Sequence, residues 1–404
     1  VQSWMQYEYG LDGFLYWGSA SYFQTENYTD SVNGWRPADV WNVGNSVLST
    51  ANGDGMLLYP GAKYGLGEPL PSIRLMSLRD GFEDYEYLYM FGELAEKYGD
   101  KYKTSDLADS LDSLYESLYE GTIPKTDYSL VLSARETLAS MLEMANTEAH
   151  AFVSVGEVNG AESKVQIDVY AESGATLTVG GETVTGESSG NGVKFTYSLP
   201  LTQSANVFEA QLSYGGETYS VSRFVSGKVV CISDFETQES LDLWQITKRG
   251  NGEEHISVSL NTDSAYIKFG SASAKIVCSA KDWTIWELAN YAPRITLGKE
   301  AFMSGVSLKD IDSFELYVFN PSDSSFDIQI ELVADAGSGE RTRSLVTFTV
   351  QPGENRIRAV EVYKTVWTQG GTDYTESVTG IAIGLPLLDE DIEMYIDGFS
   401  YVCR

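Results

Sequence analysis

Histidine and cysteine are scarce in this sequence, which has 404 residues but only two histidines and three cysteines. His150 and His255 lie far apart, and the sequence contains no CxxC motif and no Cys/His cluster. A zinc site or a Ser-His-Asp triad within the chain is therefore not expected. Because the number of cysteines is odd, Cys231, Cys278 and Cys403 give no disulfide framework. Nor does the sequence give a reason to expect an organic cofactor.

Basic residues and long apolar runs are also lacking. Lysine and arginine total 27 against 58 aspartates and glutamates, a formal net charge of −31, which argues against nucleic acid or an anionic membrane as a partner. No run of 18 apolar residues occurs, so no membrane span is predicted. Aromatic residues are plentiful at 12%, and rings that stack on sugar C–H faces make such compositions common among carbohydrate-active proteins.

The longest ordered pattern begins as a turn and continues as a helix. Gly53-Asp54-Gly55 predicts a tight turn, residues 56–59 a short strand, and Pro60-Gly61 the end of that strand. From Ser72, which suits an N-cap, apolar residues recur at helical spacing to about Tyr98. The pattern predicts one long amphipathic helix that begins just after Ser72.

The flanking elements predict the end of an α/β barrel with a helical extension. Residues 1–9 are interpreted as the end of a helix and residues 13–17 as a buried strand, an order typical of α/β barrels and doubly wound sheets. A second helix is predicted from the stripe of Leu107, Leu111, Leu114 and Leu118, and a third after an N-cap at Asp127. We interpret both later helices as packed on the outside of the barrel.

Beyond His150 the periodicity changes to short alternating strands. Residues 150–229 predict a small immunoglobulin-like β-sandwich with hairpins at Gly180-Gly181 and Gly215-Gly216. Residues 230–404 predict a second and larger all-β unit. The expected organisation is multidomain: residues 1–149 form the barrel remnant with its helices, and two β-sandwiches follow.

Two motifs in the first part carry a family resemblance. The runs GDGMLLYPG and PSIRLMSLRDGFEDYEYL, with GFLYW at residues 13–17 as the last barrel strand, resemble the C-terminal end of the catalytic domain of glycoside hydrolase family 123. The resemblance covers roughly residues 1–98 and implies a (β/α)8, or TIM-like, barrel. The characterised members are β-N-acetylgalactosaminidases, whose substrate-assisted mechanism relies on an adjacent Asp-Glu pair.

That catalytic pair is not assignable in this chain, because the resemblance places it upstream of the motifs. Glu83-Asp84 lies in the predicted long helix, where neighbouring residues point about 100° apart, and we interpret it as pairing with Arg74 or Arg79. Asp389-Glu390-Asp391 is interpreted as a solvated turn. We therefore expect residues 1–98 to be incomplete as a domain and the chain alone to be inactive.

The C-terminal unit carries a second and weaker resemblance. DFE near its start, GSASAK at residues 270–275 and YIDGFSYV at its end resemble the jelly-roll carbohydrate-binding modules of secreted glycosidases. First and last strands are neighbours in such modules, so Asp234, Glu236 and Asp397 are candidate ligands of a structural calcium ion. Acidic surface residues are the alternative. The same pairing would bring Cys231 near Cys403, where a disulfide is conceivable.

Candidate sugar contacts are aromatic or lie near the expected catalytic face. In the first part they are Trp17, Trp35, Trp41, Asp54 and Tyr59, and in the C-terminal unit they are Trp283, Trp286 and Trp367. A loop that follows a barrel strand lies on the catalytic face, which favours the first group. For each tryptophan a role in the core is the alternative.

The expected function is that of the C-terminal portion of a secreted or cell-surface bacterial glycoside hydrolase acting on N-acetylhexosamine-containing glycans. Its partners would be a glycan or polysaccharide and the remaining N-terminal part of the same protein, which would also carry an export signal upstream of Val1. Two alternatives stay open: a non-catalytic carbohydrate-binding or cell-surface protein, and a glycosidase with a different sugar specificity.

Overall fold

The computed structural model describes most of the chain in several segments. These are residues 1–16, 23–25, 35–37, 57–59, 61–125, 128–246, 255–279, 293–303, 306–335, 340–360, 378–385 and 390–403. The described residues form three units, which we call the helical unit (residues 1–149), the first sandwich (residues 150–226) and the C-terminal sandwich (residues 228–403). In these segments no helix has the length and apolarity needed to cross a membrane.

Helices dominate the helical unit. They are α1 (Gln2–Glu8), α2 (Ile73–Tyr102), α3 (Asp106–Asp109), α4 (Asp112–Leu118) and α5 (Tyr128–Ala145). Short strand pairs accompany them: β1 (Phe23–Thr25) with β2 (Trp35–Pro37), β3 (Leu58–Tyr59) with β4 (Leu70–Pro71), and β5 (Tyr119–Glu120) with β6 (Ile123–Pro124). A 3-10 turn at Gly61–Tyr64 follows β3.

The long helix begins where the sequence predicts and ends four residues later than expected. Ser72 is the N-cap, and its Oγ accepts a hydrogen bond from the backbone N–H of Leu75 (3.2 Å). At the other end Lys103 adopts a left-handed conformation with φ 56°, and the N–H of Thr104 donates to the carbonyl of Gly99. The helix therefore continues past Gly99, which lies inside it.

The predicted leucine stripe is confirmed as core, but it belongs to two helices. Leu107 lies in α3 and Leu114 and Leu118 lie in α4, with Leu111 between the helices, and all four are buried. They share one core with Trp4, Leu88, Phe91, Leu138 and Met141. The predicted third helix is also present as α5, although Asp127, its proposed N-cap, lies outside the described residues.

The predicted barrel strand at residues 13–17 is not confirmed. Residues 11–16 form no strand, and the side chain of Leu15 is 82% exposed, whereas a barrel strand would be buried. A strand is stabilised by hydrogen bonds to neighbouring strands, and none of the described strands pairs with this segment. The expected barrel remnant is therefore not seen in the described part of the chain.

The first sandwich consists of two four-stranded antiparallel sheets around a common core. Its strands are β7 (Phe152–Asn159), β8 (Lys164–Glu172), β9 (Thr176–Val179), β10 (Glu182–Val184), β11 (Gly186–Ser189), β12 (Gly192–Pro200), β13 (Ala205–Tyr214) and β14 (Glu217–Ser226). The sheet orders are β10-β9-β13-β14 and β11-β12-β8-β7. Both predicted hairpins are present, since β9 pairs with β10 and β13 pairs with β14. The turn residues Gly180, Gly181, Gly215 and Gly216 all have positive φ, as such turns need.

The C-terminal sandwich places a six-stranded sheet on a five-stranded sheet. Its strands are β15 (Lys228–Ser233), β16 (Trp244–Ile246), β17 (Ile256–Asn261), β18 (Ser273–Cys278), β19 (Arg294–Gly298), β20 (Ile311–Asn320), β21 (Phe326–Asp335), β22 (Glu340–Val350), β23 (Gly353–Val360), β24 (Val378–Gly384) and β25 (Ile392–Cys403). Short helices α6 (Gln238–Asp242) and α7 (Lys299–Phe302) and 3-10 turns at Ser264–Tyr266 and Leu308–Asp310 connect them. The sheet orders are β17-β18-β25-β20-β23, with β15 also on β25, and β16-β19-β24-β21-β22.

The first and last strands of this sandwich pair antiparallel, as predicted, but the register excludes the suggested disulfide. Cys231 lies opposite Ser400, and Cys403 lies opposite Lys228. The two cysteines are thus three positions apart along the ladder. Together with Cys278, both are free thiols.

Polar contacts join the three units, in addition to Phe152 and Tyr170 of the first sandwich, which pack in the helical core. Arg223 of β14 is fully buried and donates to the carbonyl of Ser110 (2.8 Å) and to Ser113 Oγ (2.7 Å), between α3 and α4. Lys125 of the helical unit pairs with Asp312 of the C-terminal sandwich (3.0 Å). These contacts enclose a cleft at the junction of the units.

Candidate functional site

Most of the predicted sugar contacts lie outside the described residues. This holds for Trp17, Trp41, Asp54, Trp283, Trp286 and Trp367. Trp35 lies in β2 opposite Thr25, and only its backbone is described. Their roles stay predictions.

Tyr59 is the predicted sugar contact whose side chain the structure describes. It is half-buried at the end of β3, and its hydroxyl accepts a hydrogen bond from Arg74 Nη2 (3.1 Å). The Arg74 guanidinium also lies 6.0 Å from the centre of the Tyr59 ring. Arg74 is the second residue of α2, so the start of this helix orients Tyr59.

The acidic pair in the long helix is structural, as interpreted, although its main partner differs from the prediction. Asp84 is buried; its Oδ2 accepts a hydrogen bond from Trp4 Nε1 (3.1 Å), and its Oδ1 lies 2.8 Å from Arg135 Nε. Glu83 pairs with Arg135 (2.8 Å) and more distantly with Arg79 (3.9 Å). Desolvation nevertheless raises the pKa of Asp84. The pair therefore ties α2 to α1 and α5.

Asp397 is the most distinctive of the three candidate calcium ligands. It is fully buried in the middle of β25, where its Oδ2 accepts hydrogen bonds from the backbone N–H groups of Lys268 (2.8 Å) and Phe269 (2.9 Å). Its Oδ1 is buried without a hydrogen-bond partner. Burial raises the pKa of this carboxyl to about 6, and the nearby charge of Glu236 adds to the effect.

The other two candidates are engaged in turns close to the same loop. The Glu236 carboxylate accepts hydrogen bonds from the N–H (3.0 Å) and Oγ (2.8 Å) of Ser271. Gly270 has φ 68°, which favours glycine, and a Cβ there would displace the Glu236 carboxylate from its present position. Asp234 Oδ1 accepts from the N–H of Glu236 (3.2 Å).

These contacts bring the motifs DFE, GSAS and YID together, as the resemblance implies. In the described segments, however, no group of three or more His, Cys, Asp or Glu side chains is placed to hold a metal ion. Glu236 and Asp397 therefore anchor the loop at residues 266–271, and Asp234 stabilises the turn that holds Glu236, rather than all three sharing one coordination sphere in this structure.

A cleft between the three units was not predicted from the sequence. It has a volume of about 650 Å³, and α3, α4, β7, β8 and β23 contribute to its walls. A neighbouring cavity of about 370 Å³ shares Asp112, Glu116, Arg356 and Arg358 with it. Burial, together with the charges of Asp109, Glu116 and Glu8, raises the pKa of Asp112 to about 6. The lining residues come from distant parts of the chain and form no contiguous motif.

Residues 1–91 match the family model of the glycoside hydrolase 123 catalytic domain. The resemblance inferred from the motifs at residues 53–89 is thereby confirmed. The match ends inside α2, at Phe91, which is buried in the helical core. The comparison with curated proteins finds no significant match.

Solved structures that resemble the chain include carbohydrate-binding proteins, all at low similarity. A family 11 carbohydrate-binding module from Clostridium thermocellum, in complex with a β-1,3-1,4-mixed-linked tetrasaccharide, has 10% identity and a TM-score of 0.32 and covers 44% of this chain and 96% of that one. A carbohydrate-binding module of the β-sandwich superfamily has 13% identity and a TM-score of 0.35, and the match covers 63% of this chain and 98% of that one. SGBP-B from a complex xyloglucan utilization locus in Bacteroides uniformis has 13% identity and a TM-score of 0.32, and the match covers 62% of this chain and 72% of that one. Similarities of this size carry no argument about the ligand of this chain.

Proposed function

We propose that the chain is part of a glycoside hydrolase that acts on N-acetylhexosamine-containing glycans by a substrate-assisted mechanism. The observation that carries this proposal is the match of residues 1–91 to the glycoside hydrolase 123 catalytic domain. In that mechanism an Asp orients the substrate acetamide, and a Glu with a raised pKa protonates the leaving oxygen. The pair at Glu83-Asp84 does not fill these roles, because Asp84 is bonded to Trp4 and Arg135. We therefore place the catalytic pair outside this chain.

The proposal predicts that the 404-residue chain does not hydrolyse 4-nitrophenyl N-acetyl-β-galactosaminide. A protein extended upstream to include an Asp-Glu pair should hydrolyse it, since general acid catalysis alone contributes roughly 10²–10⁴-fold. Release of nitrophenol by each protein is the measurement. Turnover by the 404-residue chain that disappears when one of its own carboxylates is replaced would show that the site lies within it.

We further propose that the C-terminal sandwich binds glycan through Trp283, Trp286 and Trp367. The motif resemblance supports this role, and the immunoglobulin-like first sandwich would then act as a spacer between the catalytic part and this unit. A bacterial extracellular or cell-surface location is part of the same proposal.

A calcium ion beside Asp397 is a separate proposal. The buried Oδ1 of Asp397 has no hydrogen-bond partner, and Ca²⁺ prefers such carboxylate oxygens. Glu236 lies near enough for its charge to influence Asp397, and Asp234 precedes it on the same turn. Asp397 would be the central ligand, and the Glu236 and Asp234 carboxylates would have to leave their present hydrogen bonds to join it. The charge of the ion would then compensate the buried carboxylate.

A further inference from the structure

The exposed surface of α2 changes in character at Phe91. Beyond this residue the exposed side chains of the helix are all charged: Glu93, Glu96, Lys97 and Asp100. Before it, six large apolar side chains are 36–79% exposed: Ile73, Met76, Phe82, Tyr87, Tyr89 and Met90. A helix on the surface of a globular protein carries polar and charged residues on its outward side. The later part of α2 therefore has an ordinary solvent-facing surface, and the earlier part does not.

Before Phe91 the helix is apolar on two of its sides. Leu88 is fully buried in the helical core. Leu75, Leu78 and Phe82 follow one another at helical spacings of three and four and form a second apolar stripe. Leu88 and Phe82 are six positions apart, which places their side chains about 120° apart around the helix. A helix that is apolar on more than one side is typical of a buried position.

The second stripe lines a groove of about 520 Å³. Its apolar walls are Phe14, Tyr16, Leu57, Leu75, Leu78 and Phe82. The ring centres of Phe14 and Phe82 lie 6.2 Å apart, so the segment before β1 and the helix form one continuous surface. The charged residues at the groove are compensated, since Arg79 pairs with Asp80 (2.6 Å) and Glu83 with Arg135 (2.8 Å). What the groove offers a partner is therefore mainly apolar area.

Exposed apolar side chains concentrate in the segment that matches the family model. Eleven of the large ones lie within residues 1–91, which make up less than a quarter of the chain. The rest of the described chain exposes five: Ile123, Tyr128, Leu132, Val207 and Leu243. In α2 the last of them is Met90, one residue before the match ends. Apolar patches of this kind mark interaction surfaces, and this one coincides with the catalytic-domain match.

The charge of the chain narrows the choice of occupant. A formal net charge of −31 disfavours both a second copy of the chain and an anionic membrane, because like charges repel. The function proposed above places the catalytic pair outside this chain but in the same domain as residues 1–91. We propose that the apolar face of α2 before Phe91, with Phe14 and Tyr16, is the surface on which the remainder of the catalytic domain packs. This inference rests on the proposed function and adds the side chains through which the two parts meet.

Hydroxyl-radical footprinting read by mass spectrometry tests this surface. It compares the 404-residue chain with the protein extended upstream to include an Asp-Glu pair, since radicals oxidise accessible methionine and aromatic side chains. We expect Met76, Phe82 and Met90 to be oxidised in the 404-residue chain and to lose most of that reactivity in the extended protein. Tyr128 is the matched control: it is 68% exposed and lies outside the family match, so its oxidation should be equal in both proteins.

A substitution gives a second and independent measurement. Phe82→Ala should change the melting temperature of the 404-residue chain little, because Phe82 is 47% exposed there. In the extended protein the same change removes a buried ring, and it should lower the melting temperature by several degrees. Tyr128→Ala should leave both melting temperatures unchanged.

The outcomes separate this inference from the proposed function. Equal oxidation of Met76, Phe82 and Met90 in the two proteins would overturn the packing surface, even if the extended protein hydrolyses the nitrophenyl substrate. Protection that is already present in the 404-residue chain would also overturn it, and sedimentation would show whether a second copy covers the face. An extended protein that is inactive but protects the face would contradict the proposed function and support the packing surface.

Discussion

At the scale of single residues, Asp397 shows how a buried carboxylate couples stability to pH. One of its oxygens caps the loop at residues 266–271, and the other has no hydrogen-bond partner. Its pKa rises from 3.8 to about 6 in the folded chain. This shift means that folding favours the protonated over the ionised carboxyl by ~3 kcal/mol. Because the folded state binds this proton more tightly than the unfolded state, the contribution to stability is full below about pH 4. It is lost as the pH rises through about 6.

Asp397→Asn should remove this pH dependence. Asparagine keeps an acceptor for the N–H groups of Lys268 and Phe269 and carries no charge, so in chelator at pH 7 the variant should be more stable than the wild type by about 2 kcal/mol. Calorimetric melting temperatures between pH 4 and 7.5 provide the measurement, with Asp323→Asn as an exposed control. Wild type and variant melting curves that change in parallel over this range would contradict the assignment.

Calcium is tested in the same comparison. If the ion binds beside Asp397, adding it at pH 7 should raise the melting temperature of the wild type by mass action and leave Asp397→Asn unchanged. The gain should fade below about pH 6, where the carboxyl takes up its proton. An equal response of both proteins to calcium and to chelator would show that these carboxylates hold no ion.

At the scale of elements, α2 has one face in the helical core and one face exposed. The exposed side chains include Ile73 (79%) and Met90 (46%), whereas Leu88, Phe91 and Tyr102 are buried. Tyr98 also stacks on His150 at the start of the first sandwich, with ring centres 4.7 Å apart. The helix α2 thus runs from the segment that matches the family model to the first sandwich.

Two substitutions in α2 compare its buried face with its exposed face. Leu88 is fully buried in the helical core, so Leu88→Ala should lower the free energy of unfolding by about 3 kcal/mol through lost contacts and a residual cavity. Met90 is two positions away and half-exposed, so Met90→Ala should change it by less than about 0.5 kcal/mol. Urea denaturation of the two variants, followed by the far-ultraviolet signal of the helices, makes the comparison. Similar losses in both would mean that the exposed face of α2 is covered in solution.

The accuracy of the sequence-based predictions follows the range of the interactions involved. Local signals succeeded: the cap at Ser72, the glycine hairpins and the apolar periodicity of α2 and α5 each depend on residues within a few positions. The strand at residues 13–17 failed because a strand depends on neighbours that a local pattern does not contain. The leucine stripe identified core residues but missed the break at Ser110, whose carbonyl accepts a hydrogen bond from Arg223 of the distant strand β14. Likewise, the cleft is lined by residues as far apart in the sequence as Asp109 and Arg358, so no sequence motif predicts it.

At the scale of the whole molecule, ion pairs connect the helical unit to the C-terminal sandwich. Lys125 forms an ion pair with Asp312, and Glu116 forms one with Arg356, which also pairs with Glu315. The side chains of Lys125 and Asp312 are 22% and 11% exposed, so their pair is less screened by solvent than a surface pair. These contacts link the helical unit to the C-terminal sandwich and border the cleft between them.

Reversing one charge in this interface should separate the two units. Lys125→Glu sets a third carboxylate beside Asp312 and Glu315, and like charges in a half-buried contact repel one another. We expect the variant to show a larger radius of gyration than the wild type in small-angle scattering and a separate calorimetric transition for the C-terminal sandwich. Lys164→Glu is the matched control, because Lys164 pairs only with Glu162 among the described residues and lies on the surface of the first sandwich.

A double-mutant cycle with the milder substitutions Lys125→Met and Asp312→Asn measures the same ion pair. Its coupling free energy should be about 1 kcal/mol. Scattering curves for Lys125→Glu that superimpose on those of the wild type, together with a coupling near zero, would mean that the ion pairs do not hold the units together.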